Sequence, residues 1–224
     1  MEHAAIIDSR ASEAISSSLL KLGLRVIKMP PTDKVAGPIS AHPDIQLFIH
    51  EENAFVHPRI DRNFLHELEQ YCVITLCSTE LAPDYPGDIP YNIACTGSYA
   101  IHRPGCTEGT IMAHLENRGI TFTFTKQGYS KCSTLIVDER SIITSDRSIH
   151  ESCTNAGMDS LLISAGHVDL PGYSYGFIGG ASGRFMDMVL LTGNMDSHPD
   201  REKIYGFIEE RGLKVKLLSE EKAV

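Results

Sequence analysis

One pattern recurs five times along the chain and constrains the fold more than any single motif. It is a helix of about three turns, a stop, and then a short apolar strand. Apolar residues at helical spacing predict helices over about 11–22, 61–72, 108–118, 147–156 and 199–211. In the first, Ala14, Ile15, Leu19 and Leu22 share a face, and Ser9 is placed to cap the amino end. Glycine follows four of the five, at Gly23, Gly119, Gly157 and Gly212. Glycine is the residue that most readily takes the left-handed conformation closing a helix. The strands predicted after the helices cover 24–29, 73–76, 120–124, 158–163 and 213–218.

Between each strand and the next helix lie two further β-prone runs around turn residues. Glu51-Glu52-Asn53 separates 44–49 from 54–57, and Thr96-Gly97 separates 93–95 from 99–101. Asp138-Glu139-Arg140 separates 134–137 from 141–144, and the glycine-rich run Gly179 to Gly183 separates 177–178 from 188–191. These read as hairpins. The unit is hairpin, helix, strand, at intervals of roughly 40–55 residues. An open array leaves sheet edges exposed, so the units are expected to close into one domain over 1–224. The first strand, Ala4-Ala5-Ile6-Ile7, has no hairpin partner of its own. Residues after the fifth strand would have to complete it, and Ser219 to Val224 is short for that task.

Composition excludes some roles. A chain of 224 residues, 42% hydrophobic, can bury a sizeable core. Its net charge of -9 sets it against nucleic acid as a partner. No apolar run reaches the length of a membrane span. The first eight residues lack a basic stretch followed by an apolar one, so a cytoplasmic location is expected. The six cysteines form no Cys-x-x-Cys pair and read as mostly reduced and structural. Nothing in the sequence sets an oligomeric state.

Polar residues with chemical capacity gather in the loops. His42-Pro43-Asp44 puts an imidazole and a carboxylate two apart before a predicted strand. The same tripeptide returns as His198-Pro199-Asp200, where Ser197 and Asp200 are spaced as a capping box at a helix start. Cys132 follows Lys131, and a neighbouring cation favours the thiolate, the nucleophilic form. His167-Val168-Asp169 again sets His and Asp two apart; in an extended segment both side chains point one way. Asp88 and Asn92 occupy the corresponding loop of another unit. The run Gly179-Gly180-Ala181-Ser182-Gly183 lacks the Lys-Ser/Thr of a phosphate loop and reads as a hairpin with close backbone approach. No spacing calls for a metal or a cofactor.

Five hairpin, helix and strand units make the sequence resemble the pentein superfamily, five-fold pseudo-symmetric α/β-propellers that include arginine, agmatine and dimethylarginine hydrolases. More narrowly, it is similar to an uncharacterised bacterial pentein-like family. Ile7-Asp8-Ser9-Arg10-Ala11, His42-Pro43-Asp44-Ile45, Gln127-Gly128-Tyr129-Ser130-Lys131-Cys132 and Gly166-His167-Val168-Asp169-Leu170-Pro171-Gly172 carry the likeness. The resemblance implies a central site to which each unit contributes. There His167 would act as general acid and base, and Cys132 as nucleophile. His42, Asp44, Asp88, Asn92, Lys131 and Asp169 would bind substrate. It implies a hydrolase or transferase acting on a cationic guanidine or amidine compound, since a carboxylate grips a planar guanidinium through paired hydrogen bonds. The sequence departs from the family at one point. Catalytic penteins carry the nucleophilic cysteine in the last unit, and this chain has none after Cys153. That departure favours the alternative, a non-catalytic propeller binding a small ligand or a macromolecular partner.

Overall fold

In a computed structural model, residues 3–223 are described. The chain forms two compact units. Unit 1 comprises the residues up to Ile93 together with Gly105–Arg118, and unit 2 comprises Ala94–Pro104 and the chain from Gly119 onward.

Unit 1 holds two sheets. Strand β1 (Ala4–Asp8) crosses through helix α1 (Glu13–Lys21) to the parallel strand β2 (Arg25–Met29), in the register Ala4 to Arg25 and Ile7 to Lys28. A four-residue helical turn, α2 (Pro43–Gln46), leads into the antiparallel pair β3 (Leu47–His50) and β4 (Asn53–Val56). Helix α3 (Arg62–Leu68) then returns the chain to β5 (Val73–Leu76), parallel to β4. Phe64 and Leu68 of α3 share a core with Ile27 and Met29 of β2 and Ala54 and Val56 of β4. A helix thus covers its own sheet and the sheet before it.

Unit 2 repeats this plan three times. Strands β6 (Ala94–Cys95), β7 (Tyr99–His102) and β8 (Thr121–Phe124) form one sheet. Helix α4 (Gly109–Asn117) joins β7 to β8 yet falls in unit 1. A second helical turn, α5 (Ser130–Ser133), leads into β9 (Thr134–Ile136) and β10 (Ser141–Thr144), followed by α6 (Arg147–Asn155) and β11 (Asp159–Leu162). The last sheet is β12 (Ser182–Phe185), β13 (Met188–Leu191) and β14 (Lys214–Leu217), with α7 (Arg201–Glu209) between the last two. Ile149 and Cys153 of α6 pack with Ala94, Ile101 and Ile142, and Ile204 and Ile208 of α7 pack with Ile143, Val189 and Leu191. Each fully buried Ile contributes about 2–3 kcal/mol by leaving water. No helix among the described residues is long and apolar enough to cross a membrane.

The glycine stops are where the sequence places them. Gly23, Gly119, Gly157 and Gly212 all have positive φ, between 70° and 82°. Other expectations need correction. Ser12, not Ser9, precedes α1, and Ser9 instead donates its N–H to the Met29 carbonyl, 3.1 Å away. The final hairpin pairs Ser182–Phe185 with Met188–Leu191 around Met186 and Asp187, so the glycine-rich run leads into the first strand of the hairpin rather than turning it. Residues 44–46 are helical, not strand, because Pro43 opens a helical turn there. Among the described residues, those after β14 form no strand of the first sheet. Asn194 bridges Lys222, and Asp169 donates its N–H to the Ala223 carbonyl at 2.9 Å. Val224 lies outside the described residues.

Candidate functional site

Six of the eight candidate residues lie on or beside the turns that lead into a sheet. His42 immediately precedes α2 and Asp44 lies in it, Lys131 and Cys132 belong to α5, and Asp88 and Asn92 to the segment before β6. His167 and Asp169 lie elsewhere in the repeat, after β11.

In unit 1, α2 is held by a buried side-chain network. The amide of Gln46 donates to the carbonyls of Pro30 (2.8 Å) and Ser40 (2.7 Å). Its oxygen faces His57 Nε2 at 3.3 Å, and His57 Nδ1 accepts the Arg59 N–H at 3.3 Å. The acceptor role of Nδ1 places the ring proton on Nε2, pointing at Gln46. Burial pushes the His57 pKa down to about 4, so the ring is neutral at physiological pH. On this rigid turn, His42 Nε2 lies 3.8 Å from Asp8 Oδ2, at the end of β1. Burial alone would raise the Asp8 pKa. The hydrogen bonds of the Arg10 guanidinium and backbone N–H, with the Arg10 charge, hold it below the ordinary carboxylate range. Arg10 is itself fixed by the Gly37 and Pro38 carbonyls. Asn92 Nδ2 donates to the Asp44 carbonyl at 3.0 Å, so unit 1 brings His42, Asp44 and Asn92 together. Asp88 and Asn92 are both buried.

In unit 2, the turn carrying Cys132 is clamped to the glycine-rich run. Gly180 N–H donates to the Cys132 carbonyl (2.9 Å), and Lys131 Nζ donates to the Gly179 carbonyl (3.0 Å). A Cβ at residue 179 would lie 2.3 Å from the Lys131 oxygen and 2.5 Å from the Thr134 oxygen. Only glycine permits that approach. The close backbone contact expected of this run is therefore present, and its partner is the Cys132 turn. The Cys132 side chain is buried. Burial pushes the thiols of Cys77 and Cys153 up to about 12, leaving them protonated at neutral pH.

His167 and Asp169 take separate partners in the same unit. The His167 ring lies against His198, with centroids 4.7 Å apart. His198 Nδ1 accepts the Asp200 N–H at 3.0 Å, which puts its own proton on Nε2. Burial, then the neighbouring His167, lowers the His198 pKa. Asp169 is exposed and pairs with Lys222. His198 and Asp200, expected only to start a helix, also anchor the segment that carries His167. The Asp200 carboxylate accepts from Ser164 N–H (2.8 Å) and Lys203 Nζ (2.8 Å). No capping box forms, because Asp200 itself precedes α7. Gln46 and His57 were missed as supports of α2; a polar residue just before an apolar strand was the signal available.

No curated protein matches the sequence at a significant level. Solved structures do match in fold. A variant of dimethylarginine dimethylaminohydrolase from Pseudomonas aeruginosa, complexed with citrulline, superposes with a TM-score of 0.58 at 10% identity, covering 98% of this chain and 92% of the other. Agmatine deiminase of C. jejuni gives 0.54 at 10% identity, with 96% and 74% covered. An amidinotransferase of the saxitoxin pathway from Microseira wollei gives 0.54 at 13% identity, with 90% and 72% covered. The fold is thus the mixed α/β fold of the penteins. Residues 6–224 match the model of a family of unknown function (DUF6873), and the chain belongs to that family.

Proposed function

We propose that the protein is a cytoplasmic hydrolase or transferase acting on a cationic guanidine- or amidine-type small molecule. The observation carrying this reading is the fold, which enzymes of guanidine chemistry share over 90–98% of this chain. A single five-bladed α/β-propeller over 1–224 is part of the same proposal. In it, Cys132 sulfur bonds to the amidine carbon, and ammonia or an amine leaves with a proton from His167. Water or an acceptor amine then releases the product and restores the thiol. Asp44, Asp88 and Asp169 would hold the cation, with His42, Asn92 and Lys131 completing the polar set. The turn at Cys132, fixed by the Gly179 and Gly180 contacts, supports the choice of nucleophile.

A second reading, a binding protein without catalysis, is favoured by two ion-handling groups already engaged within the protein. Lys131 is on the Gly179 carbonyl and Asp169 on Lys222. Assaying ammonia and amine release from agmatine, arginine and dimethylarginine separates the two. Turnover that falls at least about a thousandfold in Cys132→Ala, and not in Cys77→Ala, supports the enzyme. Calorimetric binding of a guanidine compound without turnover supports the second reading. Neither turnover nor binding rejects both.

A further inference from the structure

Unit 1 carries a second group of imidazoles, at the end of β3 far from α2. His50, the last residue of β3, turns its Nδ1 to Nε2 of His114 on α4, 3.1 Å away. The two residues are 64 positions apart, so no spacing in the sequence pairs them. Aromatic rings flank both. Phe48 runs parallel to His50, with centroids 6.5 Å apart, and Phe55 lies 4.8 Å from His114. The two imidazoles stand nearly perpendicular, at 77°. His50 is buried and His114 half-buried.

As a hydrogen bond, the contact holds one proton: one ring donates and the other accepts. The same separation suits a metal ion. Two imidazole nitrogens bound to one ion stand about 3.0–3.3 Å apart, as the angle at the metal opens from a right angle to a tetrahedral one. Moving the shared proton to the donor ring's other nitrogen gives both facing nitrogens a lone pair, and no proton has to leave. A tilt of the rings then makes the lone pairs converge. Burial is the largest cause lowering the pKa of each ring, so both are neutral, the ligating form, at pH 7. The surrounding charge favours a cation. Glu51 and Glu52 follow His50 directly and act on both rings, and the nearby Arg118 is already paired with Glu51.

We propose that His50 and His114 bind a divalent metal ion of the zinc and copper class, which bridges the β3–β4 hairpin to α4. Imidazole selects such ions over magnesium and calcium, which take oxygen ligands. With two protein ligands, water fills the remaining positions. The bound ion ties helix to hairpin and stabilises the fold according to its occupancy. None of the residues assigned to guanidine chemistry takes part, so the proposal stands or falls apart from that reading.

A zinc titration followed by nitrogen NMR of the histidine rings tests it, because each of the ten histidines is read separately. At pH 7, with zinc raised to about 1 mM, His50 Nδ1 and His114 Nε2 should shift together on one saturation curve. Magnesium at the same concentration should move neither. His114→Ala should raise the zinc concentration needed to shift His50 at least about tenfold. Rings that do not respond to zinc, or that respond with different midpoints, overturn the proposal and leave the pair as a hydrogen bond. So does a His50 midpoint unchanged in His114→Ala. The titration of the unaltered protein decides the matter even if His114→Ala does not fold.

Discussion

The tripeptide His-Pro-Asp occurs in each unit, and its two copies meet their helices in different registers. At residues 42–44 the His precedes the helical turn, Pro43 opens it and Asp44 lies inside it. At residues 198–200 it is the Asp that precedes the helix, and Pro199 stays outside. The shift of two residues changes the environment of both side chains. His198 and Asp200 are buried and bonded, the imidazole to the Asp200 N–H and the carboxylate to Ser164 N–H and Lys203. His42 makes no capping bond and keeps about a quarter of its side chain exposed beside Asp8. One copy is a clasp between a loop and a helix. The other presents polar groups on a turn that a separate network, Gln46 and His57, holds rigid.

The sharpest test of this contrast is the carboxylate. Asp200→Ala would leave the Ser164 N–H without its acceptor and remove the Lys203 pair. The expected cost is about 2–3 kcal/mol in denaturant unfolding, most of it from the stranded backbone donor. Asp44→Ala should cost less than that, because Gln46 and His57 hold the α2 turn independently of the Asp44 carboxylate. Equal losses at the two sites would mean that the copies do the same structural work.

The rigid support of the first copy predicts a pH dependence. The His57 pKa in the fold, about 4, lies below its unfolded value of 6.5. Its neutral form therefore stabilises the fold fully above about pH 6.5, and that contribution is lost as pH falls toward 4. Between pH 7 and pH 5 the loss is about 2 kcal/mol. His50, His102, His114 and His198, all lowered by burial, add to it in the same direction. His57→Gln keeps a polar partner for Gln46 but does not titrate. Unfolding free energies at pH 7 and pH 5 should therefore differ by about 2 kcal/mol less in that variant than in the unaltered protein. An unchanged difference would remove His57 as the titrating support of α2.

How far these features were legible in the sequence depended on the range of the interactions that set them. The helix stops at Gly23, Gly119, Gly157 and Gly212 follow from backbone conformation alone and were readable. So was the repeat of sheet and helix, which rests on periodicity. Turns α2 and α5 were missed because four residues hold too little of a helical period to register. The first strand of the last hairpin was misplaced because Phe177-Ile178 is as apolar as a strand, yet its backbone turns against the Cys132 loop. Candidate site residues could be picked out as chemical types, but their partners were not visible. His198 is 31 positions from His167 and Lys222 is 53 from Asp169, distances over which only the fold decides contact. The closeness implied at Gly179 was legible, and what it was close to was not.

The smallest effect separates two explanations of the second clasp. Asp200 is held far below the ordinary carboxylate range, by Lys203 first and by Ser164 next. If the ion pair carried the clasp, Lys203→Met would cost nearly as much as Asp200→Ala, and added salt would weaken the unaltered protein. Lys203 is 70% exposed, however, and an exposed pair contributes at most about 1 kcal/mol before screening. The Ser164 N–H faces a carboxylate only 11% exposed, where water competes poorly for the donor. Lys203→Met should therefore cost less than about 1 kcal/mol, with little change between low and high salt. The folded Asp200 pKa should stay below that of an unfolded aspartate, so its share of the stability still disappears only as pH falls below about 4. A loss above about 2 kcal/mol, or one abolished by salt, would place the clasp in the ion pair rather than in the bond to the loop that carries His167.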